Sequence, residues 1–156
     1  MDAGMPLDLS PLRNALASLA RGLARRRAAP ADEEVRDACI QRFEYCFELS
    51  WKMLQRQIES EIGNSAEVDS YSKRTLFRVA AERGMIASPE PWFVYLVQRN
   101  KTSHAYDARV AAEVAEVLEA FALDAGSVLA WAACMLAVER DTRGKALRNV
   151  LRAGER

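Results

Sequence analysis

The leucines at positions 9, 12, 16, 19 and 23 step along the chain by three and four residues, a spacing that only a helix converts into one apolar stripe. The period returns at Ile40, Phe43, Phe47, Trp51, Leu54 and Ile58. It returns again through Val110, Val114, Val117, Leu118, Phe121, Val128, Leu129, Trp131, Met135 and Leu136. The sequence holds no sustained period-two alternation and no hairpin turn signal, so no strand is predicted and the chain is expected to be all-α.

Breaks in the pattern divide the helices. The first helix is predicted over Leu7 to Arg27, and "RRRAAPADEE" ends it; Pro30 with Asp32, Glu33 and Glu34 suits the start of a second, which runs to about Ile62. Gly63 and Asn64 close that one, and a short third helix follows through Leu76, Val79 and Ala80 to Gly84. "SPEPWF" opens a fourth, carrying Trp92, Tyr95, Leu96 and Arg99 and loosening near Thr102 and Ser103. A long fifth is expected from about His104, with a bend near Gly126. Long helices with short breaks and one apolar stripe each pack as an up-and-down four-helix bundle, here with one additional short helix. The bundle domain is assigned to residues 1–138, and residues 139–156 to a basic C-terminal extension. Apolar surface left over on the fifth helix points to a homodimer.

The 22 basic and 22 acidic side chains cancel, which excludes a general nucleic-acid binder and makes any RNA site local. Basic residues do cluster at Arg21, Arg25, Arg26 and Arg27, and at Arg140, Arg143, Lys145, Arg148, Arg152 and Arg156, where the plain reading is solvated helix ends. Cys39, Cys46 and Cys134 are odd in number and lack C-x-x-C spacing. With one histidine they make no usual zinc set, so all three are expected as core thiols and neither metal nor cofactor is expected. No charged n-region leads into an apolar segment, and no uninterrupted apolar run is long enough for a bilayer; a cytoplasmic protein without a membrane partner is expected.

The one histidine lies in "RNKTSHAY", residues 99 to 106. On a continuous helix Asn100 and His104 would be neighbours, as would Arg99 and Ser103. With Ser103 as N-cap, His104 falls in the first turn of the fifth helix, where free N–H groups and the positive dipole end attract an anion. Arg99 offers a planar fork matched to phosphate, and His104 a side chain suited to moving protons at neutral pH. Metal-free RNA cleavage needs a proton taken from the ribose 2′-OH, charge stabilised at phosphorus and a proton given to the 5′-oxygen. One histidine cannot readily do both transfers, whereas a symmetric dimer brings two. Glu48 is a candidate polar companion lining the cleft, but its plain role is the i,i+4 partner of Lys52, and it stays outside the catalytic set.

Three blocks in order, "RFEYCFELSWKML" at 42 to 54, "SKRTLFRVAAERGMI" at 72 to 86 and "WFVYLVQRNKTSHAYD" at 92 to 107, resemble the HEPN-type helical proteins encoded beside minimal nucleotidyltransferases, also described as nucleotidyltransferase substrate-binding proteins. The resemblance implies a dimeric helical bundle in which the arginine and histidine of R-x4-H, here Arg99 and His104, meet their counterparts near the dimer cleft. In relatives that act as toxins the motif belongs to a metal-independent ribonuclease, assisted by the polar residue after the arginine, here Asn100. The resemblance further implies an antitoxin nucleotidyltransferase that modifies the motif's tyrosine, here Tyr106, so that RNA is the substrate and Tyr106 the off-switch. A non-catalytic subunit that presents substrate or nucleotide to the transferase is the alternative. The resemblance stops near Leu136, short of the basic tail.

Overall fold

The computed structural model describes residues 7–154, all helix and connection, with no strand among them. Helix α1 (Ser10–Ala28) has Pro11 in its first turn and buries Leu12, Ala15, Leu19 and Leu23, while Arg25, Arg26 and Arg27 occupy its last turn. Gly22 lets α1 approach its neighbour closely: a Cβ there would lie 3.0 Å from Cys39 Sγ and 3.1 Å from Arg42 Nη1. The Asp32 side chain caps α2 (Glu33–Ile62), accepting from the N–H groups of Glu34 and Val35 at 3.0 and 3.2 Å. Gly63 ends it in the left-handed conformation, φ 72°, with its N–H on Glu59 O.

A short α3 (Ser65–Asp69), capped by Asn64, lies within the stretch read from sequence as only a helix end. Ser72 caps α4 (Lys73–Glu82). Helix α5 (Glu90–Lys101) continues into one 3-10 turn, Thr102–His104. Two helices follow where one was expected, α6 (Ala108–Ala115) and α7 (Leu118–Gly154). The interruption is at Glu116 and Val117, whose N–H groups bond three residues back to Glu113 and Val114, and α7 runs on past Gly126. Arg26 of α1 donates to Ala115 O at 3.3 Å, serving a carbonyl at the end of α6.

Helix α2 is central and touches every other α-helix that forms the bundle. Phe43 and Phe47 of α2, Phe77 of α4, Trp92 and Tyr95 of α5 and Phe121 of α7 form one buried aromatic cluster. Its tightest pair, Phe43 and Phe121, meets edge-on at 4.8 Å. Trp51 is only half-buried, because its indole N–H is turned to Glu48 at 3.0 Å. Cys39 and Cys46 are core thiols as expected; Cys134 is exposed, since α7 is leaving the bundle there.

From Ala137 onward α7 is almost wholly exposed and projects roughly 25 Å at 1.5 Å per residue. Arg156 and the first six residues lie outside the described chain. By length and composition α7 is also long and apolar enough to cross a membrane, with mean hydropathy 1.8 over an 18-residue stretch; demanding an uninterrupted run passes over it because Asp124 divides it. In the bundle this stretch buries Phe121, Ala125, Val128 and Ala132.

Candidate active site at the end of helix α5

The aromatic N-terminal half of α5 anchors the helix, and its last turn carries the polar residues. Arg99 is directed toward α2. Its Nε lies 3.4 Å from Glu48 Oε1 and one Nη1 lies 3.8 Å from Glu44 Oε2, in side chains that are each about one-third exposed. Neither contact is a well-formed hydrogen bond, and Nε is buried without a partner. Thr102 is the firmer restraint: buried at 7% exposure, it donates Oγ1–H to Arg99 O at 2.7 Å and accepts from Arg99 Nη1 at 3.1 Å.

Glu48 therefore faces Arg99 and Trp51, and no Lys52 pair forms; the Lys52 ammonium lies over the Trp51 ring at 5.7 Å. From sequence Glu44 is passed over and Glu48 is set aside as a partner of Lys52. Their signal in the sequence was an acidic i,i+4 pair on a face of α2 other than its buried stripe.

His104 closes the 3-10 turn and does not open a helix. The N-cap is Asp107, which accepts from Arg109 N at 2.9 Å, while the Ser103 hydroxyl lies 3.4 Å from Asn100 O behind it. The anion-attracting helix start expected at His104 is thus absent; the imidazole follows the C-terminal end of α5. The reason is local competition: Thr102 bonds back into α5 and extends the helical path, leaving Asp107 as the first free capping side chain. Asn100 and His104 are exposed, and Tyr106 is 88% exposed with its ring edge-on to the imidazole at 6.3 Å.

The end of α5 before the turn is tied to α6. Lys101 pairs with Glu113 of α6 at 2.5 Å, and Gln98 Nε2 donates to the same carboxylate at 3.4 Å; these bonds, the lysine's first, hold the Glu113 carboxyl below the usual range. The arrangement offers a guanidinium restrained but incompletely hydrogen-bonded, followed five residues on by an accessible imidazole and seven residues on by an accessible phenol. A phosphate could take the place of the carboxylates on Arg99. No cluster of three or more metal-ligating side chains occurs among the described residues.

Residues 7–131 match the family model for nucleotidyltransferase substrate-binding-protein-like proteins. The chain belongs to that family. It is 33% identical over 90 residues to a Haemophilus influenzae protein named "Probable ribonuclease HepT", an alignment that covers 58% of this chain and 62% of the relative, less than two thirds of its length. A solved Haemophilus influenzae structure, described as revealing the fold of a substrate-binding domain of a nucleotidyltransferase, superposes with TM-score 0.75. It has 26% identity and covers 81% of this chain and 99% of the other. A Thermus thermophilus protein superposes with TM-score 0.65 at 29% identity, over 78% of this chain and 98% of its own. The nucleotidyltransferase substrate-binding bundle is thus the fold, and the family match ends where α7 begins to leave it.

Proposed function

We propose that this protein is a metal-independent endoribonuclease that acts as a cytoplasmic homodimer with a minimal nucleotidyltransferase, in a toxin–antitoxin-like pair. The observation that carries the reading is the exposure of His104 and Tyr106 beside an arginine whose Nε has no hydrogen-bond partner. The likeness to a relative named as a ribonuclease adds support.

In this reading the scissile phosphate displaces Glu44 and Glu48 from Arg99, which then stabilises charge on the pentacoordinate phosphorus. The 2′-oxygen loses its proton to one His104 and bonds to phosphorus, a 2′,3′-cyclic phosphate forms, and the 5′-oxygen leaves with a proton from the imidazole of the second copy. Asn100 orients the phosphate or the ring by hydrogen bonding. Exposed apolar side chains on α7, Leu123 and Val138 among them, supply surface for the second copy.

Tyr106 is the proposed switch. Its Oη attacks the α-phosphorus of a nucleoside triphosphate, pyrophosphate leaves, the phenolic proton is lost, and the tyrosine carries a nucleotide whose bulk and negative charge exclude the RNA phosphate. The test is cleavage of a mixed RNA by wild type and His104→Ala with and without a chelator. The expected outcome is chelator-resistant cleavage that falls about 100-fold or more in the variant. Absence of cleavage, together with tight binding of nucleotide or transferase, would establish instead a non-catalytic substrate-binding subunit. The pairing of Arg99 with two carboxylates favours that second reading.

A further inference from the structure

Beside the candidate active site, α2, α4 and the outer side of α5 carry two aromatic rings and four cations: Trp51 and Lys52 on α2, Lys73, Arg74 and Arg78 on α4, and Phe93 on α5. The guanidinium groups of Arg74 and Arg78 lie 4.9 and 5.2 Å from the centre of the Phe93 ring; the ammonium groups of Lys73 and Lys52 lie 4.8 and 5.7 Å from that of Trp51. Among the described residues none of these four cations has a carboxylate within 4.0 Å, and all four lie against an aromatic ring. In a chain of zero net charge this is a local positive face.

Helix stability does not account for it. Lys73 and Arg74 occupy the first turn of α4, which holds no acidic residue, and there the helix dipole opposes positive charge. A shallow cleft of about 230 Å³ next to them is lined by Arg74, Phe93, Val94, Val97 and Gln98. Gln98 gives its amide N–H to the Glu113 carboxylate, which can only accept. The amide oxygen is therefore turned the other way, buried and without a donor. Phe93, Val97 and Asn100 follow one another on the same side of α5, about 10 Å along the axis from the ring to the catalytic asparagine.

We infer that this face is a track for single-stranded RNA, seating nucleotides that flank the phosphate held at Arg99 and His104; the inference rests on the ribonuclease reading above. Unpaired bases stack on the Phe93 and Trp51 rings and the guanidinium planes, and the four cations neutralise the backbone.

The experiment is fluorescence anisotropy of a labelled oligoadenylate of about twelve nucleotides with the full-length His104→Ala protein, which separates binding from turnover, between about 50 and 200 mM salt. Phe93→Leu keeps apolar volume but removes the ring, and is expected to weaken binding about fivefold or more. Arg74→Gln with Arg78→Gln, both exposed and outside the core, is expected to lower the slope of log affinity against log salt by about one to two. Both changes must occur for the track to stand. Unchanged affinity and slope beside intact wild-type cleavage send the RNA elsewhere and leave the ribonuclease reading in place. If wild type binds RNA without cleaving it and the variants weaken binding, the track stands and catalysis fails. Altered sedimentation or nucleotidyltransferase capture, with RNA affinity unchanged, makes the face a protein interface and overturns the track.

Discussion

Tyr95 and Tyr106 stand eleven positions apart by number, and the structure uses them in opposite ways. Tyr95 is 3% exposed, packed edge-on against Trp92 and Phe121 at 5.6 and 5.3 Å, and donates to Asp124 Oδ2 at 2.5 Å. Burial first, and then the bond to Asp124, pushes its phenol above the usual tyrosine range. Tyr106 is 88% exposed, with its ring edge-on to His104 at 6.3 Å. One half of α5 is fixed in the aromatic core, and the other half positions Arg99 against α2 and leads into the turn that exposes His104. The contrast separates a tyrosine packed into the core from one open to solvent.

Removing the anchor is expected to have the largest effect. Phe121 touches Phe43, Phe47, Trp92 and Tyr95, so Phe121→Ala deletes the shared contact of three helices and should destabilise by about 3–5 kcal/mol in urea denaturation. A loss below about 1 kcal/mol would mean that α5 is fixed by something other than this cluster.

Alkaline pH gives the next effect. Burial pushes the Cys46 thiol up from 9.0 to about 12, so the folded state holds it protonated while the unfolded chain ionises near its ordinary value. That contribution is fully present below pH 9 and is lost progressively as pH rises toward 12, on the order of 2 kcal/mol between pH 9 and 11. Cys46→Ala should be less stable at neutral pH yet show a shallower alkaline decline. Parallel declines in the two proteins would assign the loss to other groups, Tyr95 first.

The parts of this fold legible in the sequence are those set by local period and local capping. The Leu12, Leu19 and Leu23 stripe, the start of α2 shortly after Pro30 and its end at Gly63 all follow from neighbours within a few residues. Distant contacts decide what was not legible. The end of α6 is served by Arg26, 89 positions away, and the apolar period carries across that break from Val114 to Phe121 as though nothing intervened. At the candidate site the motif residues were recognisable by type and order. Their company was not: Glu48 has a plausible local partner in Lys52, and only the packing of α5 on α2 sets it against Arg99. Thr102, Ser103 and Asp107 are all good caps by type, and the bond from Thr102 back to Arg99 O selects the last.

The smallest effects on stability give the sharpest test of the two tyrosines. Tyr95→Phe keeps the ring and its aromatic contacts and removes one hydrogen bond to a carboxylate. Asp124 is half-buried at the edge of a surface cleft and regains water when the hydroxyl goes, so the expected loss is about 1–2 kcal/mol, toward the low end for a bond to a charged acceptor. Tyr106→Phe removes a hydroxyl already in solvent and should leave stability within about 0.5 kcal/mol of wild type. Co-expression with a cognate nucleotidyltransferase should then reverse the ranking: intact mass rises by one or more nucleotide residues in wild type and in Tyr95→Phe, and not at all in Tyr106→Phe. Modification that persists in Tyr106→Phe would move the acceptor elsewhere on the surface. Stability lost equally in both variants would show that the turn after α5 is part of the packed structure and not a surface presented to a partner.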